Sequence, residues 1–198
     1  LQSTAYNALG DNDGAVVAIE PSTGKIKAMV SKPDFDPNQI SSVIEETANS
    51  DSSCLLNRAT QGMYPPGSTF KILTTLEYIR ENPNYKSYSY ECEGDGIFNS
   101  VSIHCYNHKV HGTVSLEDSL AYSCNTSFSN IGTKLDMDAL NKLCGDFLYN
   151  KELPYDGYYK KSSYTMTSKT DKSLIPQTVI GQGETLITPL HNAIIMCA

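Results

Sequence analysis

Positive charge is scarce in this 198-residue chain: Lys and Arg total 15 against 22 Asp and Glu, for a net charge of −7. The basic residues are scattered rather than clustered, which argues against a nucleic-acid partner. Long apolar runs are also missing. None approaches the ~20 residues that a membrane-crossing helix needs, and no basic-then-apolar leader stands at the start. None of the six cysteines lies in a C-x-x-C pair. Gly94 and Gly96 make no phosphate loop, because no Gly-Lys-Ser/Thr follows them. Asp11-Asn12-Asp13-Gly14 resembles part of a calcium loop, but its first ligand position would be Leu9 and the closing glutamate is missing, so it reads as a turn. There is no internal repeat and no low-complexity tail. The length suits one sizeable domain, which would bury ~70% of its unfolded surface.

What the chain does hold is Tyr64-Pro65-Pro66-Gly67-Ser68-Thr69-Phe70-Lys71. Phe70, Ile72, Leu73, Leu76 and Ile79 follow at helical spacing, and Pro65-Pro66-Gly67 cannot belong to a helix interior, so the pattern predicts a helix from Ser68 to about Glu81. Three positions apart at ~100° per residue, Ser68 and Lys71 share one face. A serine hydroxyl is a poor nucleophile at its free pKa, and a desolvated amine beside it can take the proton. S-x-x-K is weak evidence alone, since Ser68 could be only a cap and Lys71 only a surface charge. A second motif raises its weight. Ser123-Cys124-Asn125, 55 positions further on, supplies a hydroxyl that can shuttle a proton and an amide that can hold a substrate backbone.

With Pro66-Gly67-Ser68-Thr69-Phe70-Lys71 and Ser123-Cys124-Asn125 stand Gly181-Gln182-Gly183-Glu184, Ile187-Thr188-Pro189 and an opening Val17 to Ser31 of the form Val-Ala-Ile-Glu-Pro-Ser-Thr-Gly-Lys-Ile-Lys-Ala-Met-Val-Ser. Together they resemble the transpeptidase domain of high-molecular-mass penicillin-binding proteins, from about Gly14 to the last residue. Asn57-Arg58-Ala59-Thr60 resembles the monofunctional, class B type. The resemblance implies acylation at Ser68, Lys71 as its base, Ser123 as proton shuttle, and Asn125 and Gly67 at the substrate. It implies no cofactor and no metal. Its expected partners are peptidoglycan stem peptides and β-lactam antibiotics, with the parent protein membrane-anchored, at the extracytoplasmic face, in a cell-wall synthesis complex. A serine β-lactamase, a D,D-carboxypeptidase or a non-catalytic penicillin-binding module on the same fold are the alternatives. Glu152 is the only carboxylate near the place of a β-lactamase's deacylating glutamate, and its surroundings do not resemble that motif.

The family's third motif, Lys-Thr-Gly or Lys-Ser-Gly beyond the Gly-Gln-Gly segment, is not in this chain. Lys169-Thr170-Asp171 lacks the glycine and precedes that segment. The expectation is therefore that residues 1–198 are the N-terminal and central part of a single transpeptidase domain. The expected fold is α+β, a partial serine β-lactamase/transpeptidase-like fold with helices on an antiparallel sheet. Only the first hairpin of that sheet, Ala15 to Glu20 with Ile26 to Ser31, is expected. A short helix is predicted near Ser42 to Glu46, one from Ser115 toward Tyr122 with Asp118 in the cap, one resuming near Thr126, and one capped by Asp136. Thr188 and Pro189 should start the last helix. The stretches between Asn82 and Gly112 and from 150 to 179 read as irregular.

Cys92 and Cys105 bracket a loop that also holds His104 and His108, with His111 just beyond. A disulfide is the favoured reading, because His108 and His111 are too closely spaced for a usual zinc finger; zinc and plain buried thiols stay open. Cys54, Cys124, Cys144 and Cys197 read as core thiols.

Overall fold

The computed structural model describes residues 1–50 and 52–198. In chain order its elements are α1 (Gln2–Ala8), β1 (Gly14–Glu20), β2 (Lys25–Lys32), α2 (Ile40–Ala48), α3 (Lys71–Glu81), β3 (Tyr90–Cys92), β4 (Asp95–Phe98), β5 (Val101–His104), β6 (Gly112–Val114), α4 (Leu116–Ala121), α5 (Asn125–Gly132), α6 (Met137–Asp146), α7 (Ile175–Thr178) and α8 (Pro189–Ile195). They divide into two compact units, each assembled from separate stretches of chain. Residues 1–64, 152–162 and 187–198 make the first, and residues 65–151 and 163–186 the second.

In the first unit β1 and β2 pair antiparallel from Gly14 opposite Lys32 to Glu20 opposite Lys25, with a bulge at Ala18/Ile19. The turn closes through Gly24, at φ 70, whose N–H donates to the Glu20 carbonyl. Period-2 alternation buries Ala28 and Val30 of β2. Helix α1, which no sequence signal announced, is tied down by the Gln2 side chain: its amide donates to the Met29 carbonyl and accepts from the Met29 N–H, as a neighbouring strand would. Helix α8 starts as expected, with the Thr188 hydroxyl accepting from the His191 N–H and Pro189 in the first turn. Leu190 then enters the core, and its N–H donates to the Ala59 carbonyl.

The second unit is where expectation and structure part most. Between Asn82 and Gly112 the chain forms two short antiparallel ribbons, β3 with β6 and β4 with β5. The described residues thus hold three two-stranded sheets rather than one hairpin. The strands are only three or four residues long, too short for alternation to be visible. Helix α4 keeps its expected capping box: the Ser115 hydroxyl accepts from the Asp118 N–H while the Asp118 carboxylate accepts from the Ser115 N–H. Asp136 likewise caps α6 by accepting from the N–H groups of Asp138 and Ala139.

Ser68 does not open α3 as its cap. It lies within a 3-10 turn, Gly67–Phe70, and the α-helix proper starts at Lys71. The buried face also differs from the apolar stripe. Phe70, Lys71, Leu73, Thr74 and Glu77 are buried, whereas Leu76 is exposed. That face must carry the lysine inward, so polar residues with partners displace apolar ones: the Thr74 hydroxyl donates to the Val179 carbonyl at 2.8 Å. Phe70 anchors the turn, stacked on Tyr164 at 5.5 Å between centroids and edge-on to Tyr149 at 6.1 Å.

The turn is fixed from behind as well. The Gly67 N–H donates to the Gly181 carbonyl at 2.8 Å, and both glycines have positive φ. A Cβ on Gly181 would stand 2.0 Å from the Gly67 oxygen. Gly181→Ala should therefore cost about 2–4 kcal/mol, strain and clash together. Gly10→Ala, also at positive φ but with nothing within 4 Å, should cost only the strain. Urea denaturation of both variants checks this, and equal losses would refute the packing account.

Candidate active site

Ser68, Lys71, Ser123 and Asn125 converge in the second unit. Lys71 is fully buried. Its Nζ has four oxygens within hydrogen-bonding distance, Asn125 Oδ1 at 2.6 Å, the Ser123 carbonyl at 2.8 Å, Ser123 Oγ at 2.9 Å and Ser68 Oγ at 3.3 Å, more than its N–H bonds can serve at once. Ser123 Oγ also lies 2.8 Å from Ser68 Oγ. The Ser123 hydroxyl thus bridges the Ser68 hydroxyl and the Lys71 amine, an arrangement that offers a proton leaving Ser68 both a direct path and a relayed one. Ser68 itself is exposed whereas Lys71 is buried, so the hydroxyl can be reached from solvent while the amine stays out of water.

Local structure explains the placement. Helix α4 ends at Ala121, Ser123 takes a left-handed conformation with φ 52, and α5 begins at Asn125. That break lets a serine and an asparagine two positions apart both aim at Lys71, which no continuous helix permits. Asn125 is held on its other side, where its Nδ2 donates to the His104 carbonyl at 2.8 Å. The second hydrogen of that amide can serve a substrate carbonyl. The His104 carbonyl and Gly181 are supports that sequence reasoning missed. The first is a main-chain atom and carries no residue-type signal; the second lies inside the quoted Gly-Gln-Gly motif, but its contact with Gly67 spans more than a hundred positions.

Burial lowers the Lys71 pKa from 10.5 to about 8, an effect that its neighbours Cys124 and Cys105 offset only in part. At pH 7 this raises the neutral fraction from roughly 0.03% to about 9%. The amine is thereby available as a base, and the Phe128 ring 5.5 Å from Nζ helps to keep water away.

The histidines divide. His104 and His108 turn outward, each with its Nδ1 against Asp95 Oδ1, at 2.8 and 2.7 Å. His111 turns inward to Cys92, with Nδ1 3.3 Å from its sulfur. Cys92 and Cys105 are not bonded, since their sulfurs lie 3.7 Å apart and both are free thiols. The favoured disulfide is therefore not formed. Cys124 and Cys144 are buried as expected, but Cys54 and Cys197 are only half-buried. Glu152 belongs to the first unit, where it is exposed and pairs with Lys161 and Tyr159.

No helix among the described residues is long and apolar enough to cross a membrane. The chain is 32% identical to the peptidoglycan D,D-transpeptidase PbpA of Mycolicibacterium smegmatis, over 98% of this chain and 43% of that protein. It is 30% identical to the peptidoglycan D,D-transpeptidase MrdA of Acinetobacter baumannii, over 98% of this chain and 31% of that protein. The chain thus spans under half the length of these curated relatives. Among solved structures, penicillin-binding protein A of M. tuberculosis in an imipenem acyl-enzyme complex superposes with a TM-score of 0.86 at 31% identity, covering 99% of this chain and 47% of that one. The D,D-transpeptidase domain of a peptidoglycan glycosyltransferase from Eggerthella lenta gives 0.87 at 27% identity, covering 99% and 51%. Residues 14–198 match the family described as the penicillin binding protein transpeptidase domain. With sequence and fold agreeing over nearly its whole length, the chain belongs to the penicillin-binding protein transpeptidase family.

Proposed function

We propose that this chain carries the acylation centre of a peptidoglycan D,D-transpeptidase, with Ser68 as nucleophile. The observation that carries this reading is the buried Lys71 amine, held between two serine hydroxyls and an asparagine. Ser68 Oγ attacks the carbonyl carbon of a D-alanyl-D-alanine bond as its proton passes to Lys71, directly or through Ser123. The C–N bond breaks, the leaving nitrogen takes a proton back along the same relay, and D-alanine departs. An amine of a neighbouring stem peptide then attacks the ester and restores the Ser68 hydroxyl. A β-lactam follows the first half of this course, but its leaving nitrogen stays tethered, so the ester persists. Asn125 orients Lys71 and offers its free N–H to the substrate. Gly67, held against Gly181, leaves room beside Ser68 for a peptide backbone. The reading carries with it an extracytoplasmic site of action and a parent protein anchored in the membrane within a cell-wall synthesis complex.

Reaction of the intact parent protein with a fluorescent penicillin, followed by peptide mapping, should find the label on Ser68. Ser68→Ala should abolish it, and Lys71→Ala should slow it by about 10²- to 10⁴-fold. A label on Ser123 would sink the assignment. The base form of Lys71 grows as pH rises, so the acylation rate should climb with pH and level off above about 8. A rate that is flat between pH 6 and 9 would remove the amine as base.

A further inference from the structure

Three cysteines and a histidine that catalysis does not use meet in the second unit. Cys92 ends β3, Cys105 follows β5, His111 precedes β6, and Cys124 stands between Ser123 and Asn125. Their sulfur and nitrogen atoms all lie within 4.8 Å of one another. The Cys92 and Cys105 sulfurs are 3.7 Å apart, those of Cys105 and Cys124 also 3.7 Å, and His111 Nδ1 is 3.3 Å from the Cys92 sulfur. A disulfide needs ~2.05 Å, and pairing any two of these thiols would strand the third. The edge of a tetrahedron is roughly 1.6 times its centre-to-corner distance, so Zn–S bonds of ~2.3 Å put sulfurs about 3.8 Å apart. The spacing here fits that geometry.

The surroundings fit it as well. Cys92, Cys105 and Cys124 are buried, as the ligands of a closed structural site should be. The Thr126 hydroxyl donates to the Cys92 sulfur at 3.2 Å and lies 3.5 and 3.6 Å from those of Cys124 and Cys105. One hydroxyl against three sulfurs is the outer support that thiolate ligands want. The His111 ring is fixed by stacking on Tyr122, 5.7 Å between centroids and 12° apart. Three sulfurs with one imidazole select zinc over the oxygen-seeking divalent cations.

We propose that Cys92, Cys105, His111 and Cys124 form a structural zinc site that braces the segment carrying Ser123 and Asn125. Ribbons of three- and four-residue strands are marginal by themselves, and one ion would tie three of those strands to the start of α5. It would also brace the catalytic amide from both ends. Asn125 follows the ligand Cys124, and the carbonyl it bonds belongs to His104, which precedes the ligand Cys105.

The test is metal content, read without reference to acylation. Protein purified under reducing conditions with zinc in the medium should carry about one zinc per chain by mass spectrometry. Replacement by cobalt(II) should give the strong visible bands of a tetrahedral thiolate site. Cys105→Ser and His111→Ala should each weaken binding by about tenfold or more, and Cys54→Ser should leave it unchanged. Chelation should lower the melting temperature of the unaltered protein. The proposal is overturned by wild-type protein that binds no zinc and gives no tetrahedral cobalt spectrum, or by a Cys92–Cys105 disulfide in the reduced preparation. It is equally overturned by zinc that survives Cys105→Ser and is lost in His108→Ala, since the ion would then sit on Asp95, His104 and His108.

Discussion

A lysine amine shut away from water cannot be left without partners, and much of the second unit serves that requirement. A buried ammonium without acceptors would cost several kcal/mol. Lys71 therefore draws acceptors from the 3-10 turn before it, the left-handed residue at 123 and the first residue of α5. Each of those segments is in turn held by something distant: the turn by Gly181 and the Phe70 stack, Asn125 by the His104 carbonyl. The same burial that demands these partners lowers the basicity of the amine, so that it is neutral often enough to accept a proton near pH 7. Structure and chemistry thus share one cause.

Local chemistry made much of this legible in the sequence. The Ser115 and Asp118 capping box, the Asp136 and Thr188 caps, and the hairpin closed at Gly24 depend on residues within a few positions of one another. The residues that meet at the candidate site were legible for the same reason, since each motif is short and their order is distinctive. That Ser123 would break the helix could be seen from the pattern; that it would take φ 52 to do so could not.

What stayed hidden depends on long-range contact. Leu76 fits an apolar stripe yet is exposed, because the inward face of α3 is set by where Lys71 must go. The ribbons between residues 90 and 114 are too short to show a period, and Cys124 looked like packing until the fold brought Cys92 and Cys105 beside it. Sequence spacing grouped three histidines, whereas the structure sends two outward to Asp95 and one inward to sulfur. Residue types suggest which chemistry is possible, but the partners are chosen by the path of the backbone.

The account rests on Lys71 being desolvated and titrating far below an ordinary lysine. Lysine labelled with ¹³C at Cε, with Lys71→Arg to assign its resonance, reports that titration directly by NMR. The account predicts a midpoint near 8 for Lys71, set apart from the other lysines. A Lys71 midpoint close to 10.5, together with the others, would contradict it.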